Sequence, residues 1–308
     1  ALGERVRPMF KTGYSPVTLC SYNAVGRPFL FQASLFHPVQ IPLVETAGDE
    51  YQLNLRIAPQ AGRVGHVPRV LYTRGAPLGK PGRDDARRSV DEALAAGGGV
   101  GVAMPGQWRG SVRVAAPLFS QPRASILIGR PRDFKSLARM LLSIDERSLN
   151  RDYEFIIADE GERDEQLTRF YQELEENRAA RVYHCPPGTG LPALYNRAAQ
   201  EANCALLVFA DPCLELRTCG DWLEELTGQL YREQVGAVGG RLLYPDGHVA
   251  QAGYVLGLLG GYAPTCLGLS PEAFNEAGQR LAGAIREVSA LSCQLMALKA
   301  ETFFAAGG

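Results

Sequence analysis

Leu206-Leu-Val-Phe-Ala-Asp-Pro-Cys-Leu-Glu-Leu216 decides the fold of this chain. An uninterrupted apolar run ends on a carboxylate, Asp211, where a parallel strand would stop. Such runs mark strands covered on both faces. A second one lies upstream, Tyr153-Glu-Phe-Ile-Ile-Ala-Asp159-Glu-Gly161. In open α/β sheets, ligands bind outside the carboxyl ends of the strands. Two strands that each carry an Asp to that edge predict a site for a polar ligand, with a nucleotide as a good candidate.

Around these strands the pattern alternates. Ala124 to Ile128 reads as a strand, and Asp133 caps a helix with Phe134, Leu137, Met140, Leu141 and Ile144 at helical spacing. Phe155 to Ala158 is the next strand. Leu167, Phe170, Tyr171 and Leu174 mark a helix, Arg181 to Tyr183 a short strand, and Leu194 to Ala202 a helix. After the strand Ala205 to Phe209, Asp221 and Glu224 read as a capping box for a helix facing inward through Trp222, Leu223, Leu226 and Leu230. Val235 to Leu243 reads as one strand turning at Pro245-Asp-Gly247. Repeated strand–helix units predict a mostly parallel, Rossmann-like α/β sheet flanked by helices.

The front of the chain differs. Phe29 to Phe36 is apolar, Tyr51 to Ala58 reads as part of a helix, and Val67 to Tyr72 as a strand. Ala76 to Gly110, rich in Gly, Pro and charge, reads as a connector with one helix over Asp84 to Ala96. A boundary is expected near Pro117 to Pro122. The expected organisation is a smaller α/β segment at 1–75, a connector at 76–123 and the sheet domain at 124–308.

The 32 basic and 33 acidic residues leave a formal charge of -1, which argues against a nucleic-acid partner. The basic residues are nearly all Arg, a compositional bias that also supplies phosphate-gripping side chains. Seven scattered cysteines form no C-x-x-C pair, which disfavours zinc and suits a reducing cytoplasm. No apolar run approaches a membrane span, and no signal-peptide pattern opens the chain. Neither G-x-G-x-x-G nor G-K-[ST] occurs, which counts against an unrelated nucleotide-binding α/β protein.

Further motifs carry a family resemblance. Ala158-Asp-Glu-Gly-Glu-Arg-Asp164, Leu194-Tyr-Asn-Arg-Ala-Ala199 and Ala210-Asp-Pro-Cys-Leu-Glu-Leu216 stand in order. Asp221 to Leu226, Val235 to Gly239, Leu242 to Gly247 and Ala252 to Gly257 follow, then Val288-Ser-Ala290 and Phe303 to Gly308. Over Ser125 to Gly308 this series resembles the family-two glycosyltransferases of GT-A fold, in particular bacterial rhamnosyltransferase-like members. Phe10 to Pro16, Leu19 to Asn23, Asp49 to Arg56 and His66 to Tyr72 resemble the acceptor half of the same family. The chain thus resembles the back half of one transferase domain followed by the front half of another. It is then a section of a tandem-domain protein, or the halves pack as one permuted or swapped unit, with a swapped dimer as one form.

The resemblance implies inverting transfer of a sugar from a nucleotide-diphosphate donor to a glycan or lipid-linked acceptor, for a bacterial surface polysaccharide. It places the work in the cytoplasm, with the inner face of the membrane as an alternative. It implies Mn²⁺ or Mg²⁺. Asp159, Glu160 and Gly161 fall on its nucleotide-binding turn, Asn196 and Arg197 on its third-helix motif, and Arg130 and Arg132 near the diphosphate. Asp211 falls on a ribose or metal contact, but Cys213 stands where the family has its metal-binding Asp. Glu50, with Asp49, falls on its catalytic acid pair, Glu50 as the base. Thr73 replaces a further His or aromatic residue.

Plainer readings stand beside these. Asp159 could cap the helix after Gly161, and Asp211 could be a turn residue before Pro212. Glu50 could sit in a solvated first helical turn. Arg130 and Arg132 could be surface arginines, Cys213 a small residue at a lost metal site, His184 and His248 structural or solvated, and Tyr195 packing. A degenerate domain acting as a non-catalytic scaffold is the alternative function.

Overall fold

The computed structural model describes residues 11–36, 44–72, 82–99, 101–115, 123–161, 164–217, 220–232, 235–258, 260–270, 273 and 280–308. The readings at Phe10, Thr73, Cys219, Glu162, Arg163 and the boundary at 117–122 lie outside these residues. The chain divides into two compact units. One is Ala1–Pro117 with Arg241–Ser289, and the other is Leu118–Gly240 with Ala290–Gly308. Residues 241–289, read from sequence as part of the sheet domain, group instead with the front of the chain.

In the first unit, Ser15 opens the short helix α1 (Pro16–Ser21) by accepting from Thr18 N at 3.1 Å. Thr46 opens α2 (Ala47–Ile57) through a capping box with Asp49. After α3 (Arg83–Ala96) come strands β1 (Val102–Pro105) and β2 (Val112–Ala115), an antiparallel pair. Leu19, Tyr51, Leu55, Ala86, Val90, Ala103, Val112 and Val114 form their common core. The stretch read as a connector therefore contributes a helix and a hairpin to this core. Its hairpin was hidden because so few of its residues are apolar and face inward. The strand expected at Val67 to Tyr72 does not form. Val67, Val70 and Leu71 are exposed, Val70 at 72%, and they pair with no strand among the described residues.

The second unit starts with β3 (Ala124–Gly129), every residue of which is buried. Asp133 caps α4 (Phe134–Arg147) by accepting from Ser136 N at 2.9 Å, and Leu137, Met140, Leu141 and Ile144 are buried at the predicted spacing. β4 (Tyr153–Asp159), α5 (Glu165–Glu176), β5 (Arg181–His184), α6 (Leu191–Gln200) and β6 (Leu206–Ala210) continue the alternation. Asp221 precedes α7 (Trp222–Gly228), but its side chain makes no capping bond. Its φ of -92° and ψ of 37° lie outside the extended region that aims a cap side chain at the first-turn amides. The expected capping box is therefore absent. Trp222 Nε1 anchors this end by donating to Ser148 Oγ at 2.7 Å.

The strand expected over Val235 to Leu243 splits into β7 (Ala237–Gly239) in the sheet and β8 (Leu242–Leu243), which pairs with β9 (Val249–Gln251). The break falls at Gly239 and Gly240, where a Cβ would come within 2.7 Å of Leu291 and 2.3 Å of Leu295. The turn at Pro245 to Gly247 is where the sequence puts it, with Gly247 N donating to Tyr244 O at 2.9 Å. β10 (Tyr254–Leu258) and β11 (Gly261–Pro264) form a further antiparallel pair. Within the first unit, Ser21 Oγ donates to Ile285 O at 2.7 Å, and Arg241 donates to Ala282 O at 2.7 Å and Gln107 Oε1 at 3.0 Å. The segments resembling the two family halves thus meet in this unit.

The chain then supplies β12 (Leu295–Lys299) and α8 (Ala300–Ala305) to the second unit. The sheet order is β5-β4-β3-β6-β12-β7. Pairings from β5 to β6 are parallel, while β12 is antiparallel to both its neighbours. Alternation separates two cores. Ile126, Ile128, Ile157 and Val208 pack with α4, α5 and α7, while Leu127, Ile156, Leu207 and Phe209 pack with α6. Burying each such side chain stabilises the sheet by roughly 1.5–3 kcal/mol. Among the described residues, no helix is long and apolar enough to cross a membrane.

Candidate functional site

Strand order locates the site. From β3 the chain steps to β4 and then β5 with α4 and α5 on one face, then crosses by α6 on the other face to β6 beside β3. The winding reverses between β3 and β6. The carboxyl edge at such a reversal is where open α/β sheets leave a crevice. Residues 129–133 leave β3 there, and residues 211–214 leave β6.

Asp211 lies at the end of β6. Its amide donates to Gln294 O at 2.8 Å, its Oδ1 accepts from Cys213 N at 2.8 Å, and Leu214 N donates to its carbonyl at 3.0 Å. This is the turn geometry of the plainer reading, with the carboxylate left half-buried at the edge. Cys213 is exposed, and its thiol is influenced by Asp211, Ser136 at the start of α4, and Arg132. Partial burial of the sulfur, then the Asp211 carboxylate beside it, push this thiol above its ordinary pKa. Tyr195 is buried, stacks edge-on to Phe209 with ring centroids 5.0 Å apart, and donates to Ala210 O at 3.4 Å. Burial, then Cys293 and Asp211, raise its hydroxyl pKa.

One strand over, Asp159 is 5% exposed. Its Oδ1 accepts from Glu160 N at 2.9 Å and its Oδ2 from Tyr171 OH at 3.1 Å. It does not cap α5, whose N-cap is Asp164. Glu160 pairs with Arg130 and accepts from Gly188 N at 3.1 Å. Arg130 also donates to Thr189 O at 3.0 Å. Gly161 has φ 103°, a value that side-chain-bearing residues rarely adopt. Arg130 has φ 50°, unusual for a residue with a Cβ and typical of positions held by their surroundings. Arg132 is exposed and has no carboxylate partner among the described residues.

The structure therefore gathers Arg130, Arg132, Asp159, Glu160, Gly161, Asp211 and Cys213 along the carboxyl edge of β3, β4 and β6. Asn196 lies on α6 against Gly308. Arg197 pairs with Glu201 at 2.7 Å and covers the Tyr183 ring at 5.3 Å. In these contacts neither meets the β3–β6 reversal.

Glu50 and Asp49 belong to the other unit. Glu50 is 4% exposed, not in a solvated helix start. Its Oε1 accepts from Asn23 Nδ2 at 3.0 Å, and Arg27 Nε forms an ion pair with Oε2 at 2.5 Å without an aligned hydrogen bond. Asn23 Oδ1 in turn accepts from Asn54 Nδ2 at 2.9 Å. Asp49 serves the capping box, accepting from Thr46 N and Thr46 Oγ1, both at 2.8 Å. Those bonds, the backbone one foremost, hold its carboxyl below the ordinary range.

Sequence reading passed over Tyr171, which holds Asp159, and the loop at 186–190, which holds Arg130 and Glu160. The signal for the loop was present, since Pro186-Pro-Gly-Thr-Gly190 is a turn-rich stretch at the carboxyl end of a strand. Tyr171→Phe keeps the ring but strips Oδ2 of a buried carboxylate of its hydroxyl donor. It is expected to cost about 1–2 kcal/mol, measured as a lower melting temperature. An unchanged melt would show that Tyr171 acts by packing alone.

The residues do not fit Mn²⁺ or Mg²⁺. Both are hard cations that need several oxygen ligands, and thiolates suit softer metals. The β3–β6 reversal offers the carboxylates of Asp211, with one oxygen already bonded, and Asp133, whose two oxygens both accept from Ser136, besides the Cys213 sulfur. Among the described residues, no group of three His, Cys, Asp or Glu could hold a metal ion.

No family model matches the chain. An uncharacterized protein, y4gI, of Sinorhizobium fredii (strain NBRC 101917 / NGR234) is 28% identical over 321 aligned positions, 99% of this chain and 35% of that protein. The O-antigen biosynthesis protein RfbC of Myxococcus xanthus is 27% identical over 276 positions, 84% of this chain and 21% of that protein. The chain thus spans a minor part of the curated relatives it matches. Among solved structures, the mannosyltransferase PcManGT from Pyrobaculum calidifontis in complex with GDP-Man and Mn²⁺ matches with a TM-score of 0.43 at 18% identity. That match covers 63% of this chain and 49% of that one. GalNAc-T7 with UDP, GalNAc and Mn²⁺ matches with a TM-score of 0.43 at 19% identity, over 60% of this chain and 36% of that one.

Proposed function

We propose that the sheet unit binds the nucleotide of a nucleotide-diphosphate sugar, and that the chain belongs to a glycosyltransferase that elongates a polysaccharide. The observation that carries this reading is the reversal between β3 and β6, with a buried carboxylate at Asp159, a half-buried one at Asp211 and an arginine pair at one edge. Similarity to an O-antigen biosynthesis protein over 84% of the chain agrees with it. Its placement in a longer tandem-domain protein, a rhamnosyl donor and a cytoplasmic site of work rest on the family resemblance.

In this reading, Asp159 and the 160–161 turn hold the base or ribose, and Arg132 faces the diphosphate. An acceptor oxygen bonds to the anomeric carbon as the bond from that carbon to the diphosphate oxygen breaks. The electron pair leaves with the nucleotide, and the acceptor proton passes to a carboxylate base.

Calorimetric titration with UDP, dTDP and GDP tests the reading. One of them is expected to bind with a dissociation constant below about 1 mM. If none binds or raises the melting temperature at millimolar concentration, the transferase reading fails. A non-catalytic scaffold would then be the better account.

A further inference from the structure

We propose that Arg132, in place of a divalent cation, offsets the charge of a diphosphate bound at the β3–β6 reversal. The inference rests on the nucleotide-sugar reading above and deepens it.

A departing nucleoside diphosphate gains negative charge as its bond to the sugar breaks, and a site must meet that charge with a metal or with fixed cations. A metal is poorly served here. Of the carboxylates at the reversal, Asp211 has its Oδ1 occupied by Cys213 N, and Asp133 gives both oxygens to Ser136. The next side chain that could reach in is a sulfur, which hard cations avoid.

A cation lies on the same edge of the sheet. Arg132 lies in the turn that leaves β3 after Gly129, and β3 pairs with β6, whose end carries Asp211 and Cys213. Arg132 is exposed and without a carboxylate partner among the described residues. Its neighbour is not comparably available, because Arg130 is tied to Glu160 and to the Thr189 carbonyl. The two arginines of the turn thus divide the work. Arg130 fixes the loop, and Arg132 is left exposed in the turn at the edge.

The turn that presents Arg132 is stiff. Arg130 takes a left-handed backbone at φ 50°, and its amide donates to Ala158 O at 2.9 Å. Pro131 follows, buried and restricted in φ. Asp133 then caps α4. A residue bracketed by a pinned arginine, a buried proline and a helix cap has little backbone freedom. A guanidinium on such a mount can offer paired N–H donors to phosphate oxygens with little left to order on binding.

During transfer, the carbon–oxygen bond to the diphosphate breaks with its electrons staying on the phosphate oxygen, and Arg132 bonds to that growing charge. The acceptor proton leaves to the base. No metal enters the balance.

The test is titration of UDP, dTDP and GDP in EDTA and again in MnCl₂, with wild type, R132A, R132K and R139A. Arg139 is an exposed arginine on α4 and serves as the control. One nucleotide is expected to bind in EDTA within about twofold of its affinity in Mn²⁺, with R132A weakening it about tenfold or more, the size of a lost charge-assisted pair. R132K is expected to retain more binding than R132A, and R139A to match wild type. A nucleotide that binds only with Mn²⁺, or binds R132A as it binds wild type, overturns the assignment and leaves the nucleotide-sugar reading standing. Absence of binding in every condition overturns both.

Discussion

Glu154→Ala is expected to destabilise the sheet unit by about 2–3 kcal/mol, seen as a lower urea midpoint at unchanged slope. The carboxylate sits at the amino end of β4, with its side chain 19% exposed. Its Oε1 accepts from Ser125 Oγ at 2.5 Å and Asn203 N at 2.8 Å, and its Oε2 from Arg181 at 2.8 Å and Asn203 Nδ2 at 3.1 Å. One side chain thus joins β3, β4, β5 and the turn into β6. Alanine leaves the Arg181 cation and the Asn203 amide without their acceptor, and stranded donors cost more than the bonds contributed. Burial works to raise the Glu154 pKa, but Ser125, both Asn203 amides and Arg181 outweigh it, and the net shift is downward. A carboxyl lowered in the folded state stabilises fully above its unfolded value, near 4.3, and loses that contribution as pH falls through the folded value. The gap between wild type and Glu154→Gln should therefore be full at neutral pH and close as pH drops below about 4. A gap that stays constant down to acid pH would show that the charge contributes nothing.

In the other unit, Gly253→Ala is expected to cost about 2–4 kcal/mol. Gly253 has φ 83°, where a Cβ crowds its own backbone. A Cβ there would also lie 2.6 Å from Val288 Cγ1 and 2.9 Å from both Val288 Cβ and Cγ2. Valine has little χ1 freedom, so it cannot turn aside. The backbone cannot shift easily either. Gly253 N donates to Gln251 Oε1 at 2.7 Å, and its carbonyl accepts from Thr265 N at 2.8 Å and Thr265 Oγ1 at 3.1 Å. Gly257 separates strain from collision. Its φ is 81°, but nothing lies within 4 Å of its Cβ position. Gly257→Ala should cost only about 1 kcal/mol, the backbone part. Equal melting losses in the two variants would remove Val288 from the explanation.

The sheet was legible because its rules are local. Leu206 to Ala210 and Ile156 to Ala158 are apolar at every position, as strands between two helical layers must be. The α4 stripe and the Asp133 cap follow from spacing alone. The hairpin of β1 and β2 was not legible, since its core contacts come through Ala103, Val112 and Val114 amid glycine and charge. Nor was the split between β7 and β8, which depends on leucines fifty residues away crowding two glycines. At the edge, the sequence placed Asp159 and Asp211 at the ends of β4 and β6, where they lie. It could not foresee that Arg130 would be tied to Glu160, or that Glu50 would be buried against Arg27, because those partners are set by three-dimensional packing.

The place of β12 has a consequence for how the protein is made. β6 ends at Ala210, and the strand that covers its outer side begins at Leu295. Ribosomes add about 5–20 residues per second, so β6 leaves the ribosome roughly 4–17 s before its neighbour exists. For that interval Leu-Leu-Val-Phe-Ala is an unpaired, wholly apolar strand edge, the kind that recruits other chains. The emerging protein is then most exposed to aggregation, or most in need of a chaperone, while residues 211–294 are being translated. Slow translation through that stretch should lower its soluble yield.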